Sequence, residues 1–144
     1  MSYNKLIKRY NDYNLVLKNN FAERVQKITV NAGFTCPNRD GSKGWGGCTY
    51  CNNQTFSPQY CSPQKSVKEQ IEEGIQFFHH KYQAQKYLIY FQSYTNTYGE
   101  MSHLVRLYEE ALDHPKVLGL VIGTRPDCIS DELLTYFSDL SKTK

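Results

Sequence analysis

No stretch of this sequence approaches the roughly 18 consecutive apolar residues that a helix needs to span a bilayer, so a helical membrane span is excluded. The polar start MSYNKLIKRY lacks the apolar core of a secretory signal, and the expected location is therefore cytoplasmic with no membrane partner. An even cysteine count is missing too. Five cysteines without a secretory signal make a disulfide framework the poorer explanation and metal or redox chemistry the better one. Internal repeats and low-complexity tracts are absent, and the formal net charge is only +3. Lys5, Lys8, Arg9, Lys18, Arg24 and Lys27 make the first stretch locally basic, which is weak support for a nucleic-acid partner because scattered lysines also form an ordinary solvated face. What is present is sufficient for one folded domain: 144 residues, 40% hydrophobic and 14% aromatic.

The β-branched run Val25–Val30 (VQKITV) predicts a strand that Asn31, Ala32 and Gly33 close. Residues 35–63 are dominated by Gly, Pro, Asn, Ser and Gln, so about thirty residues are expected without regular structure, a length that inside a compact domain points to function. Ser66 with Glu69 forms a capping-box pattern, and Val67, Ile71, Ile75 and Phe78 recur at helical spacing. Lys86–Phe91 (KYLIYF) predicts a second strand, followed by the polar and aromatic segment 92–99. Leu104, Leu107, Tyr108, Ala111 and Leu112 mark a helix ending near His114, since Pro115 disfavours helical geometry before it. The continuous apolar run Val117–Ile122 (VLGLVI) predicts a strand covered on both faces. GTRPD breaks it, and Ser130 caps a last helix through Leu133, Leu134, Phe137 and Leu140. The order βαβαβα predicts an α/β fold with parallel strands, right-handed crossovers and functional loops gathered at the carboxyl ends of the strands.

Three cysteines fall in the first of those loops, spaced C-x11-C-x2-C as Cys36, Cys48 and Cys51. The C-x2-C pair lets two thiolates reach one centre, while Gly41, Gly44, Gly46 and Gly47 free the backbone to bring the third sulfur round. Structural zinc is the strongest rival, but it needs a fourth ligand that the loop lacks, with Cys61, Cys128, His79 or His80 the available donors. A thioredoxin-like dithiol fits less well, because there the pair follows a strand directly and opens a helix. Inert buried cysteine is the blandest reading of so polar a segment. On ligand chemistry alone, iron-sulfur and zinc both stay open.

The stretches NAGFTCPNRDG (residues 31–41), GGCTYCN (46–52), SYTNTYG (93–99) and GTRPDC (123–128) together resemble the radical S-adenosylmethionine (SAM) superfamily. Within it they resemble the YhcC/YtqA-like branch related to the catalytic subunit of Elongator. The resemblance runs from about Arg24 onward, and the x11 interval departs from the common C-x3-C-x2-C spacing in a way this branch shares. It implies that Cys36, Cys48 and Cys51 hold a 4Fe-4S cluster whose remaining iron chelates SAM. Tyr50 and Asn52 would then lie among the cofactor contacts, Tyr50 beside the adenine. Ser93, Tyr94 and Thr95 would stand where the superfamily has a GGE-like turn for the SAM ammonium. Arg125 would pair with the SAM carboxylate, or alternatively with Asp127. The implied reaction is reductive cleavage of SAM to methionine and a 5'-deoxyadenosyl radical, an oxidoreductase chemistry needing an electron donor such as flavodoxin or ferredoxin. Cys61 and Cys128 read as small packing residues, and His79 and His80 as solvent-exposed.

The resemblance also sets the expected extent. Residues 25–144 correspond to the amino-terminal half of the superfamily's partial (β/α)6 barrel, preceded by an extension over residues 1–24. Such a fragment is expected to bind a cluster and to cleave SAM poorly or not at all, and to self-associate through the exposed Val117–Ile122 edge. The substrate is unknown, with tRNA an analogy from Elongator. A small zinc-binding interaction module, RNA-associated through its basic start and many tyrosines, is the alternative from another class.

Overall fold

The computed structural model describes residues 9–80 and 86–143. Lys5 and Lys8 of the basic start, with the whole first third of the 1–24 extension, lie outside the described residues. The elements run α1 (Tyr13–Asn20), β1 (Val25–Val30), α2 (Val67–His79), β2 (Lys86–Phe91), α3 (Met101–Leu112), β3 (Val117–Ile122) and α4 (Asp131–Thr143), with single 3-10 turns at Asn53–Phe56 and Pro126–Cys128. All three strands have the expected bounds and form one parallel sheet in the order β1-β2-β3. The fold is thus α/β, with every strand followed by a helix.

Alternation within the strands decides which face is covered. Ile28, Val30, Tyr87, Ile89 and Phe91 are buried and join Val67, Ile71, Leu104, Tyr108, Ala111 and Leu133 of the helices in one core. Tyr108 is fully buried, edge-on to Phe91 at 5.4 Å and packed on Phe137 at 5.6 Å. The opposite face is only half-buried: Lys27 lies over the rings of Tyr90 at 4.8 Å and Tyr13 at 5.4 Å. The strand β3 therefore differs from the expectation. Only Val117 is buried, because α2, α3 and α4 pack on a single face and β3 is an edge strand among the described residues.

The capping box forms as read, Ser66 Oγ accepting from the Glu69 N–H and Glu69 accepting from the Ser66 N–H. Burial of its small Gly74 lets α2 lie close on the sheet, where an added Cβ would stand 2.6 Å from Ile28 Cγ2. Ser130 caps α4, its Oγ accepting from the Leu133 N–H at 3.2 Å. The helix α1 was not anticipated within the extension. It has the Asp12 cap that a sequence can show, but it buries no residue and so carries no apolar stripe.

Candidate functional site: a cysteine loop on the carboxyl rim

The eleven residues between Cys36 and Cys48 close on themselves. Cys36 O accepts from the N–H groups of Arg39 (2.8 Å) and Asp40 (3.2 Å), and Pro37 O from those of Lys43 (2.8 Å) and Gly44 (3.2 Å). An Asp40–Trp45 bridge and a bond from Gly47 N–H to Asn38 O (2.9 Å) complete the ring. Gly47 takes φ 80°, a left-handed conformation that a side chain would strain, and a Cβ there would also displace the Arg39 guanidinium. Thus the long first interval is an ordered small ring that returns the chain to its start. Asn38 Nδ2 then donates to Cys48 Sγ at 3.3 Å, and the Cys51 N–H donates to Cys48 O at 3.0 Å in the C-x2-C turn.

The other two rim loops reach this ring. The Thr95 N–H donates to Thr35 O (3.2 Å) and the Asn96 N–H to Gly123 O (3.1 Å). Lys43 pairs with Asp127, and the Ser42 and Tyr98 hydroxyls meet at 2.8 Å. Segment 93–99 is the buried polar hub of the rim, with Ser93, Thr95, Asn96 and Thr97 all shielded from solvent. Thr97 donates to Cys128 O, which leaves the Thr124 hydroxyl to donate to Thr97, and Tyr108 OH donates to Asn96 O. Asn96 Nδ2 donates to Gly123 O at 2.8 Å.

All five cysteines are free thiols, but their surroundings differ. Burial pushes the Cys36 thiol up, yet hydrogen bonds from Thr95, the Asn38 N–H and Arg125, together with the guanidinium charge, outweigh it and leave Cys36 below an ordinary thiol. Arg125 Nη1 stands 4.0 Å from Cys36 Sγ. Its fork, meanwhile, grips Asp127, Nε to Oδ1 at 2.9 Å and Nη2 to Oδ2 at 2.8 Å, and Asp127 is held well below the carboxylate range by Arg125 and then Lys43. The Asp127 partner is thus formed, while the other edge of Arg125 faces the Cys36 thiol.

Of the remaining site residues, Tyr50 is 87% exposed beside Cys48, which raises its phenol. Asn52 is turned to local work, its side chain accepting from the Gln54 N–H at 3.1 Å. Tyr94 takes the left-handed φ of 63°, and its ring lies 5.3 Å from the Arg39 guanidinium, whose Nη2 donates to Cys51 O at 3.3 Å. Arg39, Asn38, Lys43 and Asp127 were not singled out from sequence as site residues. Asn38, Arg39 and Asp127 lie in the matched stretches PNRDG and GTRPDC, which was the available signal; Lys43 lies outside them.

Cys61 and Cys128 stand apart from this set. Cys61 donates to Thr29 O at 3.0 Å and burial pushes its thiol up to about 11, as suits a packing residue. Cys128 is also raised, by burial and then Asp127. His79 and His80 are exposed.

The donor set can be tested against a metal group. Among the described residues no three His, Cys, Asp or Glu side chains are grouped tightly enough to hold a single ion. The three loop thiols are instead held separately, Cys36 beside Thr95 and Arg125, Cys48 beside Asn38 and Tyr50, Cys51 beside Arg39. Soft sulfur donors ringed by N–H and cationic groups fit an iron-sulfur group, in which each thiolate takes its own iron and sulfur-directed hydrogen bonds tune the centre. Ser93 Oγ and Asn96 Oδ1 are buried on the same rim without a hydrogen-bond partner.

No family model matches this chain, and no solved structure does. The chain is 39% identical over 118 residues to Protein YhcC of Escherichia coli (strain K12), covering 82% of this chain and 37% of that protein. It is 34% identical over 140 residues to Uncharacterized protein YtqA of Bacillus subtilis (strain 168), covering 97% of this chain and 44% of that protein. It is also 34% identical over 129 residues to Uncharacterized protein MJ0486 of Methanocaldococcus jannaschii, covering 88% and 38%. This chain therefore spans 37–44% of the length of these relatives.

Proposed function

We propose that this chain is the cluster-bearing part of a radical SAM enzyme, with Cys36, Cys48 and Cys51 as the thiolate ligands of a 4Fe-4S group. The observation that carries this reading is the meeting of three rim loops at Cys36, where Thr95 and Arg125 from two different βα connections lower the thiol supplied by a third. Ligands of a cluster must be deprotonated, and Cys36 is biased that way before any metal arrives. Such a group would supply the electron for reductive cleavage of SAM.

The protein's own contribution follows from its residues. The ring 37–47 orients Cys48 and Cys51 against Cys36, and Arg39 clamps the second thiol pair to the Tyr94 ring of the neighbouring loop. Ser93, buried and unpartnered, is the side chain of the 93–95 turn best supplied with free hydrogen-bonding capacity for a polar cofactor. Arg125 keeps Nη1 for the ligand side while Asp127 fixes its plane. Substrate and electron donor belong to the whole protein, of which relatives of this length carry more than twice as much chain; tRNA, and flavodoxin or ferredoxin, are the classes to try first. Likewise, the sheet is the size and direction of half of a partial (β/α)6 barrel.

The test is a set of single substitutions. Cys36→Ser, Cys48→Ser and Cys51→Ser are each expected to lose most of the iron and sulfide bound after anaerobic reconstitution, while Cys61→Ser and Cys128→Ser retain it. Equal retention by all five variants would overturn the assignment.

A further inference from the structure

The strand β1 is an edge strand, so the backbone groups that face away from β2 must find partners elsewhere. At Thr29 and Asn31 they find side chains in place of a strand. The Cys61 thiol donates to Thr29 O at 3.0 Å. Two residues on, Gln70 of α2 takes both groups of Asn31: its Oε1 accepts from the Asn31 N–H at 2.9 Å, and its Nε2 donates to Asn31 O at 2.9 Å. The same Nε2 reaches Lys65 O at 3.2 Å and Ser66 O at 3.4 Å, which joins the start of α2 to the end of β1.

Gln70 is fully buried, although an apolar side chain would fill its place on the helix with no polar group to satisfy. Every bond of its amide goes to backbone, and two of the four go to one residue 39 positions away. That residue directly follows β1 and opens the path of the chain to Cys36. Asn31 Oδ1 accepts from the Gly33 N–H at 3.0 Å, Phe34 is buried, Thr35 O is held by the Thr95 N–H at 3.2 Å, and Cys36 follows.

We infer that Gln70 is a positioning residue for Cys36: by acting as a one-residue strand it fixes where β1 ends and how the chain enters the loop, so that Cys36 arrives between Thr95 and Arg125. The inference deepens the proposed function and rests on its assignment of Cys36 as a ligand.

The experiment compares the unmodified chain with Gln70→Met, which keeps size and loses the amide, and Gln70→Glu, which keeps the acceptor for the Asn31 N–H alone. Site-resolved alkylation of the metal-free chains is followed by mass spectrometry, and bound iron is measured after anaerobic reconstitution. In folded Gln70→Met the Cys36 rate is expected to change about fivefold or more relative to Cys128 in the same chain, and bound iron to fall below about half, with Gln70→Glu, whose second oxygen would face the carbonyls of Asn31, Lys65 and Ser66, changed at least as much. A change in global stability alone would scale all thiols together. Folded Gln70→Met with unchanged relative Cys36 reactivity and unchanged iron overturns the inference. Should the unmodified chain bind no iron while Cys36 reactivity still shifts in Gln70→Met, the cluster reading fails and the positioning role stands. If Gln70→Met does not fold, hydrogen exchange of the unmodified chain decides: protection of the Asn31 amide equal to that of Val30 supports the inference, and exchange as fast as an exposed loop overturns it.

Discussion

Cys36 and Cys61 show how two identical side chains separated by 25 positions come to opposite chemistry. Both are half-buried. Cys61 has only a carbonyl to donate to, so burial dominates and its thiol stays protonated at neutral pH. Cys36 meets three donors, one of them the charged guanidinium of Arg125, and these overcome burial. The lowered value means a larger thiolate fraction at neutral pH. Arg125→Ala and Thr95→Val are therefore each expected to move the alkylation profile of Cys36 to higher pH and to slow it at pH 7, with Cys61 the slowest thiol throughout; a profile that overlays the unmodified chain would contradict this. The three loop cysteines were legible because C-x2-C and its glycines are local features. The roles of Asn38, Arg39 and Lys43 were not, because they depend on how the ring folds and on loops from different βα units touching. Arg125 was legible with two competing partners, of which the folded loop forms the Asp127 pair and adds the Cys36 thiol, a contact that needs two βα units to meet.

Among the elements, strand bounds and the caps of α2 and α4 could be read directly, since β-branched runs and Ser-x-x-Glu patterns act within a few residues. The helix α1 and the one-sided covering of β3 could not. An apolar run such as VLGLVI states that a strand is to be buried but says nothing of how many layers the chain supplies. The approach of α2 to β1 is likewise a tertiary fact, and it reverses a local rule. Replacing a helical glycine by alanine usually stabilises by up to about 1 kcal/mol. In Gly74→Ala the new methyl would meet Ile28 Cγ2, a fully buried β-branched side chain with no room to retreat. Overpacking of about 1–3 kcal/mol wins, so denaturant unfolding should show Gly74→Ala to be less stable than the unmodified chain, and a gain in stability would contradict the packing.

At the scale of the whole molecule the two sheet edges are treated unequally. Cys61 and Gln70 occupy the outer edge of β1 near its carboxyl end. Among the described residues the edge of β3 has no neighbouring strand, and it borders an apolar groove of about 570 Å³ lined by Leu118, Leu120, Ile122, Phe137 and Leu140. An open edge beside apolar side chains invites pairing with another chain. Light scattering at rising concentration should therefore detect self-association, and a clean monomer throughout would contradict it. Among the described residues no helix is long and apolar enough to cross a membrane. The central claim concerns what the three loop thiols hold, and metal and sulfide analysis of the chain after anaerobic purification tests it most directly. The account predicts iron with inorganic sulfide and a brown protein absorbing near the blue edge of the visible; stoichiometric zinc in a colourless protein would contradict it.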